Sequence, residues 1–180
     1  MLNILITSAL SASLLLTPIN GEVPIAGQTG QIAQTYRFMS AQSIDLDNRY
    51  PVESVGKGFK ENILIAVDYL NLDGRGGFIL QPNEVFAFHN KAILPQFASD
   101  KIITQNSDFT TNTGYKVVVG LGGNGVCHLA SLINWTANEA RLEVVSPTFH
   151  DFAKIPGIER IYGTSISTRN SPARQNLYIK

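Results

Sequence analysis

Four glycines in six residues, Gly120-Leu121-Gly122-Gly123-Asn124-Gly125, constrain this chain more than any other stretch. The run follows Tyr115–Val119 (YKVVV), whose β-branched and aromatic residues read as a strand. It precedes 126–142, where Val126, Leu129, Ile133, Ala137 and Ala140 fall close to one helical face. A backbone this rich in glycine must turn tightly or be approached closely. The loop therefore delivers Cys127, the one cysteine of the chain, to the start of a helix.

The letters Gly120-x-Gly122-x-x-Gly125 match a dinucleotide-binding fingerprint, with Glu143 downstream as the ribose acid. A doubly wound domain needs several βαβ repeats, and only about 55 turn-rich residues follow the loop here. No Lys-Ser or Lys-Thr closes the loop as a phosphate-binding loop requires. Two readings of the loop remain. In one, Cys127 is a nucleophile whose thiolate is stabilised by the helix N-terminus. Its base would be His150, returned beside it after a turn at Pro147, and the backbone N–H groups of 125–127 would hold an oxyanion. In the other, Cys127 packs in the core and the glycines only make the strand-to-helix crossing. His128 neighbours Cys127, but adjacent helical residues point about 100° apart, so it is not expected to serve that thiol. Asp151 would face away from His150 on a strand and is a poor orienter.

Elsewhere the pattern gives a helix over 59–72, with apolar Phe59, Ile63, Ala66, Val67 and Leu70 on one face, ended by Asp73-Gly74. Short strands are expected at 78–80, 85–88, 144–145, 161–166 and 177–179, and a polar loop at 106–112. Helices and strands mix without a regular alternation. The expected fold class is α+β: one domain of mixed or antiparallel strands packed with two main helices, the glycine loop leading into the Cys127 helix. Glu84, after the Pro82-Asn83 turn, is either a site carboxylate or a turn cap; His89 reads as a surface histidine. Trp135 and Tyr69 read as core or rim aromatics. Asn134-x-Thr136 has the letters of a glycosylation sequon inside an expected helix.

Lys+Arg and Asp+Glu are both 14, which removes the electrostatic reason to expect nucleic acid. One cysteine excludes an intramolecular disulfide. Cys127, His128, His150 and His89 lack zinc-type spacing, and neither a metal nor a cofactor is expected. Residues 1–16 carry no charged side chain and resemble the apolar part of an export signal or membrane tether, broken by Pro18 and Gly21. The stretch is short for a membrane helix, and the alternative is a strand or helix of the domain. The expected organisation is 1–21 as leader or tether, 22–43 as linker and 44–180 as the folded domain.

Gly122-Gly123-x-Gly125-Val126-Cys127-His128-Leu129-Ala130-Ser131 resembles the signature of VanW-like proteins, a glycine run followed by Val-Cys-Gln and a hydroxyl-bearing helix start. Gly114-Tyr115, Pro82-Asn83-Glu84-Val85-Phe86-Ala87-Phe88 and the stretch from Ser146 to His150 are similar to further motifs of that family in the same order, over roughly 44–180. His128 stands where the family usually has Gln, Asp151 where Ser follows the histidine, Asn124 interrupts the glycine run, and Gly163 replaces the acid of the closing motif. The resemblance implies an extracytoplasmic bacterial envelope protein, from a family associated with glycopeptide-antibiotic resistance, that meets a cell-wall peptide or glycan. Two functions follow as expectations. One is Cys/His acyl transfer or hydrolysis on peptidoglycan, with Cys127 and His150 catalytic and Gly122, Gly123, Gly125, His128, Glu84 and Tyr115 binding. The other is a non-catalytic module binding a wall polymer or partner protein, which the missing acid at Gly163 favours.

Overall fold

Helix α1 runs from Glu53 to Leu70, six residues earlier than the apolar stripe indicates. The early turn contains Gly56 and Gly58, both buried, which hide it from a periodicity argument. Tertiary contact explains their presence: a Cβ on Gly58 would lie 2.5 Å from a Val118 methyl. Ile63, Ala66, Val67 and Leu70 form the buried stripe, as their spacing requires. Helix α2, Val126–Glu139, packs against α1 and begins at the glycine loop as expected. It is buried over most of its circumference, with Leu129, Leu132 and Ile133 all within 1 % of full burial.

The structure is a computed structural model that describes residues 2–8, 11–16, 40–71, 77–118, 120–122 and 124–180; of 2–16, 77–79 and 121–122 it describes the backbone. Strands β1 (Leu2–Ser8), β2 (Ser11–Leu16), β3 (Ser40–Asp45) and β4 (Gly77–Leu80) make an antiparallel sheet in the order β3-β2-β1-β4. The apolar stretch read as a leader or tether contains two paired strands. Residues 40–43, placed in the expected linker, begin β3; most of that linker, and the helix stop at Asp73-Gly74, lie outside the described residues. No helix among the described residues is long and apolar enough to cross a membrane.

A second sheet has the order β6-β5-β10-β9, from β5 (Glu84–Ala87), β6 (Lys101–Ile103), β9 (Val144–Val145) and β10 (Tyr178–Ile179). Its β5–β6 pair is parallel and the others antiparallel, so the sheet is mixed. Between them in sequence, β7 (Val117–Val118) and β8 (Leu121–Gly122) form a small hairpin turned at Gly120, whose φ is +76°. The expected continuous strand over 115–119 is therefore shorter, because the chain doubles back at the first glycine. Every residue of β5 is buried: Phe86 faces the main core with the two helices, while Val85 and Ala87 meet Phe97 and Tyr178 on the other face. This is a single-domain α+β fold, as the sequence pattern led us to expect. The expected strand at 161–166 is instead a 3-10 turn, Arg160–Tyr162, followed by a single bridge between Thr164 and Phe149.

Candidate functional site

The glycine loop is fixed from α1. Asn62 is wholly buried and its amide bonds both ends of the hairpin: Nδ2 donates to Lys116 O (3.1 Å) and Asn124 O (2.9 Å), and Oδ1 accepts from Lys116 N–H (2.7 Å). Asn124 Nδ2 donates to Val118 O (3.0 Å). Gly125, at φ +103°, is the cap residue of α2, and a Cβ there would stand 2.6 Å from Phe59 O. At Gly125 the loop is pressed against the α1 backbone. That packing accounts for Gly125 without a ligand. Gly122 is spent in the hairpin ladder, paired with Val117, and Gly123 lies outside the described residues.

Cys127 does sit in the first turn of α2, but its thiol is engaged by backbone. Sγ accepts from the Ile166 N–H at 3.4 Å and lies 3.8 Å from Ile166 O, to which it can donate. Cys127 is half-buried; desolvation pushes its thiol pKa up, and the Ile166 contact offsets part of that. The same face of α2 holds the rest of this segment. Ser131 Oγ donates to Cys127 O (2.7 Å) and accepts from Thr164 N–H (2.9 Å); Asn134 Nδ2 donates to Tyr162 O (3.0 Å) and Thr164 Oγ1 (2.9 Å). Cys127, Ser131 and Asn134 are thus a polar stripe at i, i+4 and i+7 that binds residues 162–166 to the helix. This stripe was readable in the sequence as buried-helix polar residues at helical spacing, yet the segment it would hold was not.

His150 does not hydrogen-bond Cys127. Its backbone pairs with Gly163, its Nδ1 bonds Ala153 O (3.0 Å), and Phe152 packs on its ring at 4.0 Å between centroids. Its ring partner from α2 is instead His128, edge to face at 6.3 Å. His128 is 5 % exposed, makes a second edge contact with Phe59 (5.4 Å) and leaves Nδ1 buried without a partner. Burial first, then the charges of Arg49 and His150, bring its pKa down to about 3. Burial also lowers the His150 pKa, against the pull of the Ala153 carbonyl. Arg49 is 3 % exposed and bonds Pro156 O through Nη2 (2.8 Å), while Nε and Nη1 have no partner. Sequence reasoning missed Arg49 entirely, since a lone arginine after a turn carries no pattern.

The remaining expected residues are dispersed. Glu84 is a turn cap: Oε2 accepts from Gln81 N–H (2.9 Å) and Oε1 pairs with Lys101, contacts that lower its pKa. Tyr115 is in the core, its hydroxyl on Ser107 Oγ (3.0 Å) and its ring against Tyr69 and Phe109. His89, expected at the surface, is fully buried, with Nε2 on Gln175 O at 2.9 Å; its strand-end position turns inward because Asn176 bonds its backbone on both sides. Trp135 stacks on Tyr162 at the rim of the core. Gly163 is buried with His150 O 3.1 Å from where a Cβ would stand. Among the described residues no cluster of three His, Cys, Asp or Glu could hold a metal ion. No family model, no curated protein and no solved structure matches this chain.

Proposed function

We propose that this chain is a VanW-like, non-catalytic binding module of the bacterial envelope that recognises a cell-wall peptide or glycan. The observation that supports this over thiol catalysis is the Cys127–Ile166 contact. A nucleophilic cysteine needs an ionised sulfur and a base within hydrogen-bond reach. Here the sulfur sits against a backbone N–H and C=O, burial favours the neutral thiol, and His150 is turned toward Ala153 and His128. Its role is that of a small packing residue joining α2 to 162–166. The envelope setting and the wall ligand rest on the motif resemblance alone.

Co-sedimentation of the full chain with purified wall sacculi tests the reading, alongside release of new amino groups from the same sacculi. The expected result is saturable binding, kept in Cys127→Ser, with no amine released. Release that is abolished in Cys127→Ser, or absence of sacculus binding, overturns it.

A further inference from the structure

We propose that Arg49, His128 and His150 form a binding site for a singly charged oxyanion, specifically the terminal carboxylate of a peptide; the choice of a peptide rests on the binding-module reading above. The site does not coincide with the thiol, which is occupied by Ile166.

A guanidinium presents five N–H donors and no acceptor. Arg49 is almost fully buried, yet only Nη2 is matched, by a neutral carbonyl. It forms no ion pair among the described residues; Asp45 is felt at a distance and is itself exposed. A buried cation without a counter-charge is costly, and an acceptor-only anion with two oxygens is the chemical complement of its free donors. The second observation is independent of the first: His128, within the field of the Arg49 charge, carries a buried ring nitrogen with no partner. His150 adjoins His128, but its one ring N–H is given to Ala153 O, so the neutral donor beside the cation is the His128 ring N–H, with His150 packed against it.

Charge balance selects the ligand. Both imidazoles are held neutral near pH 7, leaving one positive charge in the cluster. A carboxylate matches that count, as does a phosphodiester, whereas a phosphate monoester brings a second negative charge. The residues 151–157 are tied over the cluster at two points, Ala153 to His150 and Pro156 to Arg49. Phe152 is 77 % exposed while its ring rests on His150, so the solvent side of the cluster is an aromatic wall suited to the apolar part of a peptide end.

The test follows the imidazole 1H–15N signals of the full chain during titration with N-acetyl-alanyl-alanine, its C-terminal amide and dimethyl phosphate. The expected result is saturable shifts of His128 and His150 with the free carboxylate, none with the amide, and at least tenfold weaker binding in Arg49→Gln. Should Arg49→Gln not fold, the acid-against-amide comparison on the wild type decides alone. Saturation by dimethyl phosphate and not by the peptide overturns the carboxylate in favour of a phosphodiester. No saturable shift with either overturns the site. Sacculus binding without histidine shifts sinks this inference and leaves the module standing; histidine shifts in a chain that also releases wall amines sink the module and leave the oxyanion site.

Discussion

The Asn62 side chain donates to the Asn124 carbonyl at 2.9 Å, so a single residue of α1 clamps the loop that starts α2. The same amide closes on Lys116 N–H and O, so Asn62 ties helix, hairpin and loop together through one side chain. Asn62→Leu keeps the branched shape of the side chain, though larger, and leaves three backbone groups unmatched in a fully buried place. Each costs about 1–3 kcal/mol. We expect a loss of about 3 kcal/mol or more in urea unfolding; a loss below about 1 kcal/mol would show that the loop is held by other contacts.

Gly114 and Gly125 both have positive φ, +89° and +103°, but different surroundings. Nothing lies within 4 Å of a Cβ at Gly114, so Gly114→Ala should cost only the left-handed backbone penalty, about 1–2 kcal/mol. A Cβ at Gly125 would also meet the Phe59 backbone at 2.6–2.9 Å, which α1 cannot yield. Gly125→Ala should therefore cost clearly more than Gly114→Ala by thermal unfolding. Equal losses would mean that the α1–loop contact is not tight.

His128 makes stability depend on acid. Its folded pKa of about 3 lies below its ordinary 6.5, so on acidification the unfolded chain takes up the proton first. The stabilisation is complete above pH 6.5 and is lost as pH falls from 6.5 toward 3, at up to about 1.4 kcal/mol per pH unit for this group. His89 and His150 are shifted in the same direction and add to the slope. The groups facing His128 are Arg49 and His150. The urea midpoint should fall between pH 7 and 5 in the wild type, and fall less in His128→Phe, which keeps the ring contact with Phe59. An unchanged slope in that variant contradicts a buried neutral imidazole.

Strands β1 and β2 lie inside the first sheet, with β3 and β4 at its two edges. Removing 1–21 deprives both edge strands of their partners. A chain starting at 22 should unfold at lower temperature and over a broader range in calorimetry. An unchanged, equally sharp transition would show that residues 44–180 hold the fold without the apolar segment, as a cleaved leader requires.

The two helices and three strands of the second sheet, β5, β9 and β10, were legible because their signals are local, whereas β6 and the strand order were not. A stripe at three and four spacings marks α1, and Val144-Val145 bounded by turns marks β9. The start of α1 was not legible, because Gly56 and Gly58 are there for Val118 and for the Tyr50 backbone, partners far along the chain or across a turn. The loop was placed correctly but its glycines suggest a ligand when read alone; the Phe59 backbone, 66 residues upstream of Gly125 in sequence, is what approaches it. The thiol shows the same limit. Position at a helix N-terminus favours a thiolate, whereas desolvation of the half-buried thiol beside Ile166 acts in the opposite direction. Arg49 has no local signature at all, since its significance is that no described residue forms an ion pair with it and two of its nitrogens have no partner.

The most direct measurement of the central claim is the rate of iodoacetamide alkylation at Cys127 against pH, in the wild type and in His150→Ala. The account expects slow modification in the folded chain, a midpoint above the free-thiol value of about 8.5, and no change in His150→Ala. A midpoint well below that value, shifted upward when His150 is removed, would contradict it and restore Cys127 as a nucleophile with His150 as its base.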